Sequence, residues 1–411
     1  MEVANYFLRS GNNPIVTLLD CSQAFDVCKF SLIFEQLLDK NLPAIVVRAL
    51  AMVYTEQFAW VRWGAAKSDL FFISNGTRQG SVLSATVFSM YLEPLFEELR
   101  VLGLGCHVAG VFMGVVGYCD DLALLSPNRD AAQAMLVVCE RFAARTGLKF
   151  STDPNPTKSK SKSIFICGRN SGLAKPAPLQ LNGKELPWGA SATHLGHEFH
   201  ESGSMDLDTR MKRSKFISES VKVRENFHFA SPVETLMVIK RKCSSLYGSM
   251  LWDLGGQSTE QVFKAWNTCV KLTWNVPRQT HTYFVDHLLS CGLSSLKSDV
   301  MSRYKGYLSS LQQSPSTEVS TLANMMSRDV RSVTGRNVKY LEDQTGVDCM
   351  SVSKTLFKNT LLANIVNPPD SDLWRVKLLG KLLETRGEYY YWGYDEEMSN
   401  ISDIINSLCI T

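Results

Sequence analysis

The sequence predicts an α+β protein, in which a domain that contains a sheet is followed by helical domains. Its 411 residues indicate two or three domains, at roughly 150 residues each. Hydrophobic residues make up 45% of the chain and charged residues 20%, which is typical of a globular protein and not of a disordered or collagenous one. Short apolar runs bounded by turn residues are frequent before residue 170, whereas apolar residues at helical spacing dominate after it.

The first strand is indicated by an apolar, partly β-branched run at 15–19 that follows the turn residues 11–14 and ends at Asp20. The pattern then predicts, in chain order, helices at 32–38 and 43–54, strands at 58–63 and 70–74, a helix at 81–99 that Pro94 is expected to kink, strands at 111–118 and 122–125, a helix at 131–145, and strands at 164–167 and 195–199. Further helices are predicted at 233–252, 261–274, 283–289 and 296–311.

The runs at 111–118 and 122–125 are separated only by Cys119, Asp120 and Asp121, which predicts a tight antiparallel hairpin with two acids in its turn. Aspartate is common in turns because its side chain bonds nearby backbone, so a plain turn is one interpretation. The position of Asp20 at the end of another buried strand favours a second interpretation, in which the acids form a site. If the strands are neighbours, three carboxylates converge, and their repulsion must be neutralised by cations.

Mg²⁺ suits such a place, because it prefers oxygen ligands and takes the remainder from water and phosphate. Two such ions about 4 Å apart would stabilise the attacking and the leaving oxygen of a phosphoryl displacement. The carboxylates therefore predict a site for phosphoryl-transfer chemistry.

Three sequence motifs resemble those of a known protein family. In order along the chain they are LDCSQAFD at 19–26, NGTRQGSVLS at 75–84 and GYCDDL at 117–122. Together they resemble the reverse transcriptases of non-LTR (LINE-like) retrotransposons. The resemblance covers roughly residues 15–255 and continues into GLKF at 147–150, the lysine-rich tract at 155–162 and HLGH at 194–197, which look like the fourth and fifth palm motifs of that family.

The resemblance implies a right-hand polymerase palm with an antiparallel sheet, followed by a helical thumb and a helical C-terminal extension. We expect residues 1–170 to form the palm with partial fingers, 171–255 the end of the palm and the thumb, and 256–411 the extension. The basic stretch 210–242 would then lie along duplex phosphates.

The resemblance also assigns roles. Asp20, Asp120 and Asp121 match the catalytic metal ligands of two Mg²⁺ ions, for which Mn²⁺ is a possible substitute. Lys160 matches the lysine that protonates the departing pyrophosphate, although Lys158 and Lys162 are rival candidates in the same tract.

Substrate contacts are implied at two further places. Phe25 matches the bulky residue that excludes a 2′-hydroxyl, with plain core packing as the alternative. Arg78, Gln79 and Gly80 match the loop that contacts the incoming nucleotide and the template.

The implied activity is RNA-directed DNA polymerisation from a primer 3′-hydroxyl, with an RNA template, a DNA primer and deoxynucleotides as partners. Because the resemblance begins almost at the first residue, we expect an N-terminally truncated chain that lacks the fingers and the endonuclease domain. The alternative function is a catalytically inactive nucleic-acid-binding remnant. A phosphohydrolase with an aspartate nucleophile is disfavoured, since no second acid stands two residues after Asp20.

An intracellular location, nuclear or cytoplasmic, is expected, because the 11 Cys are scattered without a C-x-x-C pair and the first residues lack the pattern of a secretory signal. No apolar run approaches the roughly 18 residues of a membrane span, so no membrane partner is expected. His194, His197 and His200 have the spacing of a metal site, but no cysteine or paired carboxylate completes a zinc site in the sequence.

Overall fold

The computed structural model describes residues 1–77, 80–153, 159–168, 173–281, 285, 293–363 and 378, and it divides the chain into two compact units, Met1–Ser204 and Met205–Thr411. The elements of the first unit are α1 (Glu2–Arg9), β1 (Ile15–Asp20), α2 (Phe30–Asp39), α3 (Ala44–Thr55), β2 (Phe58–Ala59), β3 (Arg62–Trp63), β4 (Ala66–Lys67), β5 (Phe71–Phe72), α4 (Ser84–Leu102), β6 (His107–Val108), β7 (Val111–Phe112), β8 (Val115–Tyr118), β9 (Asp121–Ser126), α5 (Arg129–Thr146), β10 (Lys162–Phe165), β11 (Leu179–Leu181), β12 (Lys184–Leu186), β13 (Ser191–His194) and β14 (His197–His200).

The main sheet of the first unit has four strands in the order β10-β1-β9-β8, and every neighbouring pair is antiparallel. β1 is therefore an inner strand. Its side chains alternate between two buried faces: Ile15 and Leu19 belong to the core against α4 and α5, whereas Val16 and Leu18 belong to a smaller core that includes Ala192 of β13. Burial on both faces explains why β1 reads as a continuous apolar run.

The helices of this unit begin and end at recognisable signals. The Asn128 side chain accepts a hydrogen bond of 2.9 Å from the backbone N–H of Ala131, which caps the start of α5, and Gly147 ends α5 in the left-handed conformation. Pro94 lies inside α4, which ends at Gly103 with φ +67°. The long apolar helix and the amphipathic helix predicted from spacing are both confirmed.

Three predicted strand regions differ from the structure. The region 58–74 forms two short nested hairpins, β2–β5 and β3–β4, instead of two longer strands. Residues 111–112 pair with β6 and do not extend β8. The predicted strand at 195–199 begins two residues too early, because Leu195 and Gly196 have φ of +49° and +75° and form the turn of the β13–β14 hairpin, whereas residues 197–199 belong to β14. The two strands of this hairpin lie on either side of that turn.

The second unit is helical. Its elements are α6 (Asp206–Asn226), α7 (Pro232–Lys242), a 3-10 turn (Ser249–Leu251), α8 (Gln257–Thr273), α9 (Leu296–Gln312), α10 (Thr317–Arg328), α11 (Val333–Thr345) and α12 (Lys354–Ala363). The single helix predicted at 233–252 is wrong, since α7 ends at Lys242 and turns follow. The helix predicted at 283–289 lies outside the described residues apart from residue 285.

The core of the second unit is built on large aromatic side chains, among them Phe216, Trp252 and Trp266, all of which are almost fully buried. The indole N–H of Trp252 donates a hydrogen bond of 3.2 Å to Asp208 Oδ2, and Lys212 forms an ion pair of 2.9 Å with the same carboxylate oxygen. The Trp252 indole and the buried Asp208 carboxylate therefore each have a polar partner, as buried polar groups require. None of the described helices combines the length and the apolar character that a membrane crossing demands.

Candidate active site

The ends of β1 and β9 bring two acidic residues together. Asp20 is the last residue of β1 and Asp121 the first of β9, and the antiparallel register places them directly opposite each other. Such cross-strand partners have Cβ atoms roughly 5 Å apart and point to the same face of the sheet. The backbone pairing itself thus sets the distance between residues that lie far apart in the sequence.

Asp120 lies in the turn that joins β8 to β9. Tyr118 pairs with Asp121, which leaves Cys119 and Asp120 as the two turn residues, so one acid lies in the turn and the other begins β9. Cys119 has φ +52°, an uncommon conformation for a residue other than glycine. Gly117 allows the hairpin to lie close to α4, because a Cβ there would be 2.4 Å from Phe96 Cζ.

The electrostatics show that the three carboxylates act on one another. Burial raises the pKa of Asp121, and the negative charges of Asp120 and Asp20 raise it further, against an opposing effect of His194. Burial, followed by the charges of the same three acids, raises the pKa of the Cys21 thiol to about 12. The site is therefore a partly buried region of negative potential, in which a divalent cation would be stabilised.

The structure gives one test of whether these residues fit Mg²⁺. Among residues 1–77, 80–153, 159–168, 173–281 and 293–363, no three His, Cys, Asp or Glu side chains form a ready cluster for a metal ion. Mg²⁺ does not require one, because it is usually held by one or two carboxylates together with water and substrate phosphates. The paired carboxylates of Asp20 and Asp121 supply the hard oxygen donors that this mode of binding uses.

Lys160 lies beside the first of these acids. Its Nζ is 3.8 Å from Asp20 Oδ2, and its side chain is 71% exposed, so it is free to move toward a substrate. Lys162 begins β10 opposite Leu18, two residues before the end of β1, and Lys158 lies outside the described residues. Lys160 is thus the better placed of the two described candidates.

Ser161 is a site residue that the sequence reasoning missed. The backbone N–H of Asp20 donates a hydrogen bond of 3.0 Å to Ser161 Oγ, and Ser161 is fully buried. This contact fixes the end of β1 against the lysine-bearing segment. A serine inside a polar tract carries no signal in the sequence that separates it from its neighbours.

His194 is a second residue whose role was missed. It lies at the end of β13, half-buried, and its interaction with Asp121 works against the effect of burial, which lowers the pKa of His194. The hairpin pairs it with His197 across the turn. The histidine spacing therefore reflects a β-hairpin beside the acids.

Phe25 follows the Asp20 strand in a half-buried loop. Its ring centroid is 4.8 Å from that of Phe88 on α4, and its carbonyl oxygen accepts a hydrogen bond of 2.7 Å from the backbone N–H of Thr77. Gly76 makes this approach possible, since it has φ +96° and a Cβ there would lie 3.1 Å from the Phe25 carbonyl oxygen. The loop before α4 is thereby held against the backbone of Phe25.

The loop before α4 also carries the predicted nucleotide contacts. Gly80 has φ +80°, which favours glycine, and the space around its missing Cβ is open to 4 Å. Arg78 and Gln79 lie outside the described residues.

Residues 3–170 match the family model described as reverse transcriptase (RNA-dependent DNA polymerase). These residues form a reverse transcriptase domain. The four-stranded antiparallel sheet that carries the acids is its palm, and the α+β fold is that of a right-hand polymerase.

Two curated relatives are similar to part of the chain, and both are retrovirus-related Pol polyproteins from the type-1 retrotransposable element R2. The protein from Nasonia vitripennis is 24% identical over 184 residues, which are 44% of this chain and 17% of that protein. The protein from Popillia japonica is 25% identical over 203 residues, which are 47% of this chain and 32% of that protein. The chain is thus similar to these two proteins over less than half of its own length, and it spans less than a third of theirs.

Solved structures are similar to the chain as well. A structure of telomerase from Candida albicans, in complex with a fragment of telomeric RNA, has a TM-score of 0.37 and 11% sequence identity, and the match covers 89% of this chain and 54% of that chain.

Proposed function

We propose that the chain is an RNA-directed DNA polymerase of a non-LTR retrotransposon, which adds deoxynucleotides to a primer 3′-hydroxyl along an RNA template. The observation that carries this proposal is the register of β1 and β9, which pairs Asp20 with Asp121 beside Asp120. The position of these strands within the reverse transcriptase domain supports it. RNA template, DNA primer and deoxynucleotides are the proposed substrates.

Asp20, Asp120 and Asp121 are the proposed ligands of two Mg²⁺ ions, in keeping with the general use of divalent metals by this family. When bound, the ions would neutralise the phosphates of the nucleotide and polarise the reacting oxygens. The contribution of the chain is to hold the carboxylates in fixed positions. The hydrogen bond from the Asp20 backbone to Ser161 and the β1–β9 pairing provide that rigidity.

Lys160 is proposed to donate a proton to the departing pyrophosphate. Its ammonium group lies 3.8 Å from a carboxylate oxygen of Asp20, a proposed metal ligand, and is therefore close to where the phosphates would bind. Its exposed side chain has the reach to follow a substrate phosphate.

Phe25 is proposed to exclude the 2′-hydroxyl of a ribonucleotide. Its side chain is half-buried and packs on Phe88, and its backbone carbonyl oxygen accepts a hydrogen bond from the Thr77 N–H. A ring held in place can discriminate by steric contact, whereas a mobile one would move aside. The loop with Arg78, Gln79 and Gly80 is proposed to contact the nucleotide and the template.

The test is primer extension on an RNA template with Mg²⁺, in which the native chain is compared with Asp120→Asn. We expect the substitution to reduce the rate at least about a hundredfold, because an amide oxygen carries no charge to bind the ion. Asp130→Asn is the matched control, since Asp130 is 94% exposed and lies past the other end of β9. It should leave extension unchanged.

Three results would contradict the proposal. They are equal extension by the native chain and Asp120→Asn, equal loss in Asp120→Asn and Asp130→Asn, and no extension by the native chain with either Mg²⁺ or Mn²⁺.

A further inference from the structure

A cavity of about 340 Å³ lies between α9 and α12 in the second unit, in a part of the chain that the polymerase site does not use. Its lining includes Ser294, Ser298, Ser302, Arg303, Lys354 and Lys358. Ser298 and Ser302 are four residues apart on α9, and Lys354 and Lys358 are four apart on α12. Each pair therefore shares one face of its helix. The cavity thus combines hydroxyl groups on one wall with cations on the other.

The acidic residue in the described lining, Asp299, is already compensated. Lys240 Nζ is 3.1 Å from Asp299 Oδ2, and Ser294 Oγ donates a hydrogen bond of 2.6 Å to Asp299 Oδ1. Lys240 also donates to Ser294 Oγ at 2.7 Å. This closed network leaves no net charge from Asp299 to oppose an incoming anion.

The remaining cations keep their charge. Arg303 donates to two backbone carbonyl oxygens, those of Ser244 at 3.4 Å and Ser245 at 2.7 Å, and these neutral partners fix the guanidinium without cancelling it. Lys354 and Lys358 have neither an ion pair nor a hydrogen bond within the part of the chain that the structure describes. Three positive charges therefore meet at one cavity, and among its described lining residues the single carboxylate, that of Asp299, is already paired with Lys240.

Gly306 lets one of these lysines lie close to α9. A Cβ at Gly306 would be 2.9 Å from Lys354 Nζ and 3.1 Å from its Cε. The ammonium group therefore lies across the α9 backbone, in space that any other residue would occupy. Glycine inside a helix is less favourable than alanine, so this close approach is made at some expense in helix stability.

We propose that the cavity binds a phosphate group, carried by a nucleic-acid strand or present as free phosphate. Cations with several N–H donors, together with hydroxyl donors, are the groups that recognise phosphate oxygens. The volume exceeds that of a single phosphate and lies within the range of ligand sites that take a nucleotide-sized group. The site binds and positions phosphate and takes no part in the polymerase chemistry.

The test measures binding to the full chain at fixed ionic strength, with two probes. A labelled 12-nucleotide RNA is followed by fluorescence anisotropy and inorganic phosphate by calorimetry. The variant is Lys354→Gln/Lys358→Gln. The control is Arg328→Gln/Lys339→Gln, which removes the same charge from two exposed side chains that do not line the cavity. We expect the cavity variant to bind at least about tenfold more weakly, and the control to change binding by less than about twofold.

Gly306→Ala provides a second variant that keeps every charge. Its methyl group should displace Lys354 from its position and weaken binding of the same probe several-fold, while thermal unfolding shows an intact fold. The salt dependence of RNA binding should also fall in the double lysine variant by about one phosphate contact or more.

The outcomes separate the sources and decide the proposal. Weaker RNA binding in both cavity variants supports a nucleic-acid phosphate, and weaker binding of inorganic phosphate alone supports the free anion. Equal losses in the cavity variant and the charge-matched control would overturn the proposal, because general charge would then explain binding. So would unchanged affinity for both probes in the double variant, or unchanged affinity in Gly306→Ala.

Discussion

At the scale of single residues, the candidate site depends on where a backbone register places charges. Asp20 and Asp121 are separated by a hundred residues of chain, yet they are direct partners across two strands. Burial and the neighbouring acids raise the pKa of Asp121, so its charged form is disfavoured until a cation arrives. The same arrangement that creates a cation site therefore makes the protein less stable without one.

Replacing the Asp121 carboxylate by an amide, in Asp121→Asn, is therefore expected to change the stability of the metal-free protein. A carboxyl whose pKa is higher in the folded state stabilises the fold fully only below its unfolded pKa, and that contribution is lost as pH rises through the folded pKa. With the metal chelated, Asp121→Asn should therefore be more stable than the native chain at pH 7. The gain should be less than about 1 kcal/mol, because the carboxylate is partly solvated. It should shrink as pH falls toward about 4.

Urea unfolding between pH 4 and pH 8 in the presence of a chelator measures this difference. Asp130→Asn is again the control, because Asp130 is exposed in the first turn of α5, where a negative charge is favourable. It should show no gain at pH 7. A loss of stability in Asp121→Asn at pH 7 would show that the acids do not repel one another.

At the scale of elements, the β8–β9 hairpin is positioned by its contact with α4. Gly117 lies opposite Leu122, and a Cβ there would be 2.4 Å from Phe96 Cζ and 3.1 Å from Leu122 Cδ2. A methyl group cannot be added without moving the helix or the strand. Because Asp120 follows only three residues later, such movement would reach the acids.

Gly117→Ala is therefore expected to destabilise the protein by about 1–3 kcal/mol, as overpacking of a filled interior does. It should also slow primer extension, since the hairpin turn would shift. Val116→Ala is the matched control: Val116 is the adjacent residue of β8, its side chain is 54% exposed, and its truncation should change stability by less than about 0.5 kcal/mol. Denaturant unfolding measures both variants, and equal effects would refute the packing argument.

The same elements show what the sequence could predict. β1 was predicted correctly because burial on both faces produces an uninterrupted apolar run, and α5 because helical spacing and Gly147 mark its length and end. The turn at Leu195 could not be predicted, because a leucine with positive φ has no local signal and the surrounding hairpin imposes it. The nested hairpins between residues 58 and 72 were missed because each of their strands is only two residues long.

The residues of the candidate site likewise divide into those that the sequence could predict and those that it could not. The acids and Lys160 could be found because the resemblance supplies a pattern with a defined order, and the structure places Lys160 beside Asp20. Ser161 and His194 could not be found, since the first contact arises only when the segment before β10 lies beside the end of β1, and the second only when β13 lies near Asp121. The assigned roles of the matched residues stay predictions.

At the scale of the whole molecule, the chain consists of two units with separate cores. The cores of Met1–Ser204 are built on the sheet and its helices, whereas the core of Met205–Thr411 is built on residues between Phe216 and Leu361. Strands continue as far as His200, beyond the change in sequence pattern near residue 170. The proposed boundaries of palm, thumb and extension at 170 and 255 stay predictions.

Separate cores predict that each unit folds when it is expressed alone, since a domain is stable when its own apolar residues are buried together. Residues 1–204 and 205–411 should each give cooperative thermal unfolding and a near-ultraviolet circular dichroism spectrum typical of fixed aromatic side chains. For units of this size, a free energy of unfolding of about 5–15 kcal/mol is expected. The second unit should retain binding to inorganic phosphate, and Lys354→Gln/Lys358→Gln should weaken it there at least about tenfold, as in the full chain. If either piece unfolds without cooperativity while the full chain remains folded, the two cores depend on each other and the division fails.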